Sequence, residues 1–347
     1  MRRVYLIRHA MPDIPLGERW CIGRSDVPLG AFGRMQAALL PFAAELPKAE
    51  TVYCSKLSRS IDTARALCER PTVVDGLEEQ DMGVWDGLSF AQIRERWPAL
   101  YAAREAQPEL LPDGAEPFRA VQARFRGAVL RCLAEKNGDV VIVSHKSAIA
   151  SLTGERSALG YASVSVVETD GTRFLPAAVG LQPHPQLTDA VCDSLLRAAG
   201  ADEALLAHCR AVAALADELC AALSQHGLAL DAKAVHAAAL LHDAARAEGD
   251  HAALGAAWLR ELGYPAIAEV IRQHHDPDGT SLNEAAVVYL ADKAVQGAVR
   301  VSVQDRFAAS LRKCKTEEAL AAHRKRMETA QAIRAAVNRL CGSELIQ

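Results

Sequence analysis

The stretch Val4-Tyr5-Leu6-Ile7-Arg8-His9-Ala10 decides how the first half of the chain folds. Four consecutive apolar residues read as a strand covered on both faces, as in a parallel sheet. Arg8 and His9 stand where that strand ends. Much later Val140-Val141-Ile142-Val143 repeats the pattern and ends on Ser144-His145. In an open parallel sheet, ligands bind beyond the carboxyl ends of the strands. Two histidines carried to one edge by two strands can therefore face each other.

Working outward, further short apolar runs fall at 51–54, 72–74, 163–168 and 173–176, with helical patterns between them. Thr169-Asp170-Gly171-Thr172 reads as a hairpin turn. One helical stripe carries Phe118, Val121, Phe125, Val129 and Leu133, with Arg119, Arg124, Arg126 and Arg131 facing away. This alternation predicts a doubly wound α/β domain over 1–179. The stretch 180–187 (GLQPHPQL) holds two prolines and little periodicity, and is expected to be a linker. From 188 to 347 the chain is Ala- and Leu-rich, with breaks near Gly200, Gly227, Gly249, Gly263 and Gly279. No strand is expected there, so the second domain reads as all-α.

At 347 residues the chain suits two cores better than one. Its net charge of -4 gives no overall reason to expect nucleic-acid binding. Nine scattered cysteines without a CxxC pair read as free thiols in a reducing compartment. The run 4–7 is too short for a signal-peptide core or a membrane span, so a cytoplasmic protein without membrane contact is expected.

Arg59, in Cys54-Ser55-Lys56-Leu57-Ser58-Arg59, follows a third short strand. With Arg8, His9 and His145 it would build a cationic pocket with forked donors, suited to a phosphoryl group. One imidazole, kept neutral by the arginines, could attack phosphorus. A proton donor for the leaving alkoxide is sought among Glu78, Glu79 and Asp81.

The ordered landmarks RHA (8–10), GRSDVPLGAFGRMQA (23–37), CSKLSRSIDTA (54–64), LEEQDMGVWDG (77–87) and VIVSHKS (141–147) resemble the histidine phosphatase superfamily. That group includes phosphoglycerate mutases and alpha-ribazole phosphatases. The resemblance implies His9 as phosphohistidine nucleophile, Arg8, Arg59 and His145 as phosphate clamp, and Glu79 as proton donor. It implies no cofactor in this domain. Arg24 and Ser25 are candidate substrate contacts. The family's usual glycines after the two histidines are replaced by Ala10 and Lys146. These departures favour a phosphatase over a mutase.

The second half places polar groups where core residues belong. His208 shares a helical stripe with Val212, Leu215 and Leu219, and Asp292 with Ala285, Val288 and Val295. His274 and His275 continue the stripe of Ile267, Val270 and Ile271, and His242-Asp243 end the run Val235, Ala238, Ala239, Leu241. Inward imidazoles and carboxylates are costly unless paired or metal-bound. Such ligands, converging from separate helices, can hold one divalent ion, or two bridged by an aspartate.

LLHDAAR (240–246), HAALG (251–255), RQHHD (272–276) and YLADK (289–293), with His208, resemble the HD-domain phosphohydrolase superfamily. The resemblance implies a metal held by His208, His242, Asp243 and Asp292. His251, His274 and His275 match the extra ligands of two-metal members, and Arg246 a phosphate-touching basic residue. The ion is left open among Fe, Mn, Mg, Co and Zn. His184, His226, His236 and His323 fit no site. Lys313-Cys314-Lys315 and His323-Arg324-Lys325-Arg326 are expected to be solvated basic faces.

The expected function is a bifunctional phosphohydrolase acting on a small phosphorylated metabolite or a nucleotide. The alternative is a phosphatase with a non-catalytic, ligand-sensing HD domain. Substrate and oligomeric state are open at this stage.

Overall fold

A computed structural model describes residues 1–107, 109–312 and 314–346. The chain forms two compact units, Met1–Pro185 and Gln186–Gln347. Lys313 of the first basic run lies outside the described residues.

The first unit is built on a six-stranded sheet. Its strands are β1 (Arg2–Arg8), β3 (Val52–Cys54), β4 (Thr72–Val73), β6 (Val140–Ser144), β7 (Val164–Thr169) and β8 (Phe174–Leu181), in the order β4-β3-β6-β1-β7-β8. A separate pair joins β2 (Trp20–Cys21) to β5 (Leu88–Ser89). The helices are α1 (Ala31–Leu39), α2 (Ser58–Arg65), α3 (Phe90–Arg96), α4 (Pro98–Ala106), α5 (Phe118–Glu135) and α6 (Lys146–Thr153).

β1 pairs in parallel with β6, and β6 with β3, whereas β7 and β8 add antiparallel. The apolar runs are continuous because both sheet faces are covered. Val4, Leu6, Val140 and Ile142 pack against Val121, Phe125, Val129 and Ile149. Tyr5, Ile7, Val141 and Val143 pack against Leu40, Val52 and Ala64 on the other side. Each buried Val, Leu, Ile or Phe side chain among them contributes roughly 1.5–3 kcal/mol. The parallel pairing of β1, β6 and β3 sets Arg8, His145 and the 55–59 segment at one sheet edge.

Three expectations are corrected here. β8 runs to Leu181, so Gly180-Leu181 belongs to the sheet, not to a linker. Gly180 has φ +72° beside the Ala158 carbonyl, a close approach that needs a residue without Cβ. Phe118 is exposed rather than part of the α5 stripe. Arg124 does not face away from the core. It donates to the carbonyls of Gly76, Glu78 and Glu79 and pairs with Glu116.

The second unit is mostly helical: α7 (Asp189–Ala199), α8 (Glu203–Gln225), α9 (Ala232–Leu241), α10 (His251–Glu261), α11 (Pro265–Arg272), α12 (Glu284–Lys293), α13 (Val303–Leu311) and α14 (Glu317–Cys341). The side chains of Thr188, Asp202, Asp231, Asp250 and Asn283 cap helix starts by accepting backbone N–H bonds. Each cap is worth about 1 kcal/mol. The unit also contains a short hairpin that the sequence reading missed, β9 (Val295–Gln296) with β10 (Val299–Arg300), turning at Gly297 with φ +58°. His236 bridges Asp189 and Asp217 at 2.9 Å each. In the second basic run Arg324 and Lys325 are exposed, whereas Arg326 pairs with Asp276. Among the described residues no helix is long and apolar enough to cross a membrane.

Candidate active sites

In the first unit, His9 and His145 are both buried, with ring centroids 4.9 Å apart. His9 Nδ1 donates to the Ala10 carbonyl at 2.7 Å. That bond leaves the Nε2 lone pair for chemistry. Burial, then the charges of Arg59 and Arg8, hold the His9 pKa well below the usual imidazole value. His145 is lowered in the same way by burial, Arg59, His9 and Arg8. Its Nε2 lies 2.7 Å from Ser55 Oγ, and its Nδ1 is buried without a hydrogen-bond partner among the described residues.

The arginines are held by neutral groups. Arg59 is fully buried and donates to the carbonyls of Ser25 and Gly23 at 2.8 Å, leaving its Nε unpartnered. Arg8 donates to the Leu159 carbonyl at 2.8 Å and lies 3.8 Å over the Tyr161 ring. Among the described residues no carboxylate forms an ion pair with either guanidinium, so the pocket keeps the positive field an anion needs.

The three acidic candidates separate. Glu79 is buried at the cleft and accepts from the Ser147 and Gln80 backbone N–H groups at 3.0 and 2.9 Å. Glu78 forms ion pairs with Arg24 and Lys56 at 3.6 Å and with Arg124 at 3.9 Å. Asp81 accepts from the Gly83 N–H in a turn. Of the three, Glu79 lines the cleft, and among the described residues its carboxylate forms no ion pair with arginine.

Arg24 and Ser25 are not brought into this cleft. The Arg24 guanidinium points to Glu78 and Glu116, at 3.6 Å each. Ser25 supplies its carbonyl to Arg59. Sequence reasoning missed Asp86, whose carboxylate accepts from the N–H groups of Gly23, Arg24 and Ser25 and so shapes the loop that holds Arg59. It also missed Ser55, Ser147 and Tyr161. Only the position of Asp86, in Trp85-Asp86-Gly87 after the acidic stretch, offered a signal.

In the second unit, five elements bring seven candidate ligands together. His208 comes from α8, Asp292 from α12, and His251 opens α10. His242 and Asp243 follow α9, and His274 and His275 follow α11, past the helix end rather than within it. His208 Nδ1 pairs with the Gly297 carbonyl, His242 Nδ1 with Ala239, and His274 Nδ1 with Ile271, at 2.7–2.8 Å. Among the described residues each Nε2 is buried without a hydrogen-bond partner, with an aspartate oxygen 3.3–3.7 Å away. Three buried lone pairs converging beside carboxylates fit a cation, and orienting a ligand imidazole through its other nitrogen is usual for metal sites. Nitrogen and carboxylate donors suit a divalent metal.

The ligand atoms form two groups, His208/His242/Asp292 and His251/His274/His275, each within 4.8 Å. Asp243 stands between them. Its Oδ2 is 3.6 Å from His242 Nε2, and its Oδ1 is 3.3 Å from His251 Nε2 and 3.7 Å from His274 Nε2. Burial opposes ionisation of Asp243, but His242, His251 and His274 outweigh it and hold the carboxyl well below the usual range. Asp292 is held low against its burial by Lys293, His208 and His242, with Lys293 Nζ 2.6 Å from Oδ2. Arg246 pairs with Asp243. A cleft of about 530 Å³ opens beside His208, walled by Arg246, Gln296, Gly297 and Arg306.

The model of the histidine phosphatase superfamily (branch 1) matches residues 4–177, and that of the HD domain matches 205–295. The chain is 33% identical over 156 residues to a Mycobacterium tuberculosis protein named as bifunctional, covering 43% of each chain. It therefore spans less than half the length of that relative. It is 32% identical over 165 residues to the glucosyl-3-phosphoglycerate phosphatase of Mycobacterium tuberculosis, covering 44% of this chain and 74% of that protein. The solved mycobacterial glucosyl-3-phosphoglycerate phosphatase complexed with VO3 aligns with a TM-score of 0.46 at 28% identity, over 52% of this chain and 100% of that chain. The chain belongs to the histidine phosphatase superfamily, and an HD domain follows in the same polypeptide.

Proposed function

We propose that the chain is a bifunctional phosphohydrolase with two chemically independent centres. The observation that carries the first is His9 itself, a buried imidazole with Nδ1 committed to Ala10 and its pKa depressed beside two arginines. Its Nε2 attacks the phosphorus of a phosphomonoester, forming an N–P bond as the P–O bond breaks. Arg8, Arg59 and His145 stabilise the charge on the equatorial oxygens. Glu79 gives its proton to the leaving alkoxide and then takes one from the water that cleaves the N–P bond. Inorganic phosphate leaves and His9 is restored. Kinship to a phosphatase of a sugar-linked phosphoglycerate supports a small phosphorylated metabolite as substrate.

The second centre is assigned to hydrolysis of another phosphoester, of a nucleotide or a nucleotide-like compound. His208, His242, Asp243 and Asp292 would hold one divalent ion, and His251, His274 and His275 a second across Asp243. Bound there, divalent metal supplies Lewis acidity toward a phosphoryl oxygen. Arg246, at the wall of the adjoining cleft, would bind a phosphate oxygen of the substrate.

Rapid quenching with radiolabelled substrate tests the first assignment. An acid-labile, base-stable phosphoenzyme is expected in wild type and absent in His9→Ala. A wild type that turns over with no such adduct would exclude the phosphohistidine route. Ligand binding at the HD centre that alters phosphatase rate without being consumed would favour a sensing role for that domain.

A further inference from the structure

The scissile phosphate needs four cationic or imidazole groups, but the phosphatase cleft holds more positive charge than that. Arg19, Arg104, Lys146 and Arg156 all line the same cavity of about 530 Å³ as Arg8 and Glu79. The three arginines lie against neutral groups. Arg156 donates to Ser147 Oγ at 2.9 Å, Arg19 lies 4.9 Å over the Phe90 ring, and Arg104 lies 5.4 Å over Trp85. Among the described residues, no carboxylate forms an ion pair with any of the four. Glu18, the other acid among the described residues that line the cleft, accepts from the Trp20 indole.

The charges lie on a definable side of the reaction. Ser147 joins them to the acid: its backbone N–H donates to Glu79, and its hydroxyl accepts from Arg156. Lys146 sits between His145 and Ser147 in the chain. Because Glu79 faces the leaving oxygen, the space beyond it receives the alcohol portion of the substrate. Lys146 is also pushed toward its neutral form by burial and by Arg8, Arg156 and Arg19, a repulsion that an anion would relieve.

We propose that Lys146 and Arg156, flanked by Arg19 and Arg104, form a second anion subsite that selects phosphomonoesters whose alcohol portion carries its own negative charge. Either a carboxylate or a second phosphate satisfies that chemistry. The proposal rests on the phosphatase reading above and assigns its substrate class.

Matched pairs test it. 3-Phosphoglycerate and glycerol 1-phosphate differ only by carboxylate against hydroxymethyl. Propane-1,3-diol bisphosphate and its monophosphate form the second pair. The anionic member of at least one pair is expected to have a kcat/KM at least tenfold higher, about what a charge-assisted hydrogen bond contributes. Which pair shows the preference identifies carboxylate or phosphate. The preference should fall with added salt and collapse toward one in Lys146→Gln/Arg156→Gln.

Equal rates within both pairs, or a preference that survives the double variant, would overturn the proposal while leaving the phosphatase reading intact. Hydrolysis of none of the four compounds would count against that reading instead. Calorimetric binding of the same pairs to His9→Ala then decides the subsite without turnover, and equal affinities within each pair would overturn it.

Discussion

Asp243 sets Oδ1 3.3 Å from His251 Nε2 while its other oxygen faces His242, so one carboxylate serves two histidine groups. Loss of that residue should therefore empty more of the centre than loss of any single histidine. Elemental analysis is expected to find two divalent ions per wild-type chain, about one in His251→Ala, and fewer still in Asp243→Asn. Equal stoichiometry in the two variants would refute a bridging role.

Metal should also hold the second unit together. His208, His242 and His274 each leave a buried Nε2 unpartnered, and Asp243 and Asp292 keep buried charge beside them. Binding that is specific to the folded state stabilises it by about 3–4 kcal/mol at 100–1,000 times Kd. Chelation is expected to lower the Tm of this unit by roughly 5–10 °C. A melting profile indifferent to chelator would exclude a structural contribution.

The phosphatase reaction should persist in acid. The proposed nucleophile is neutral His9, and burial with Arg59 and Arg8 lowers its pKa. The active form therefore survives as pH falls through the ordinary imidazole range and is lost only below it. His145 titrates with it, so the acid limb of kcat/KM belongs to the pair. Arg59→Met removes a lowering charge, so the limb should move to higher pH while kcat falls by roughly 10²–10³-fold. An acid limb that stays in place would contradict the electrostatic account.

Glu79 and its neighbour Glu78 should behave differently. Glu79→Gln is expected to slow alkyl phosphates by roughly 10²–10⁴-fold and p-nitrophenyl phosphate far less, because that leaving group needs no proton. Glu78→Gln should instead weaken the fold through its pairs with Arg24, Lys56 and Arg124. A leaving-group dependence that follows Glu78 would reassign the acid.

Asp86→Ala leaves the N–H groups of Gly23, Arg24 and Ser25 without their acceptor. A cost of about 1–3 kcal/mol in denaturant unfolding is expected, with a lower kcat because the same loop holds Arg59. Unchanged stability and unchanged kcat would remove Asp86 from the account.

What could be read beforehand followed strong local signals. Val4 to Ile7 and Val140 to Val143 announce covered strands, and the residue after each strand lands at the sheet edge whatever the intervening loops do. His208 and Asp292 betrayed themselves as polar groups on apolar helical stripes. What escaped depended on contacts distant in sequence. The turn of Arg24 toward Glu116, the insertion of Arg124 beneath Glu79, and the different surroundings of Glu78, Glu79 and Asp81 come from packing, which no periodicity records. The β9–β10 hairpin is only two residues per strand, too short for alternation to show, yet its Gly297 carbonyl orients His208.

The most direct test of two independent centres assays wild type, His9→Ala and Asp243→Ala on phosphomonoesters and nucleotides, with and without chelator. The account predicts one chelator-resistant activity lost only with His9 and one chelator-sensitive activity lost only with Asp243. A single activity abolished by either substitution would contradict it.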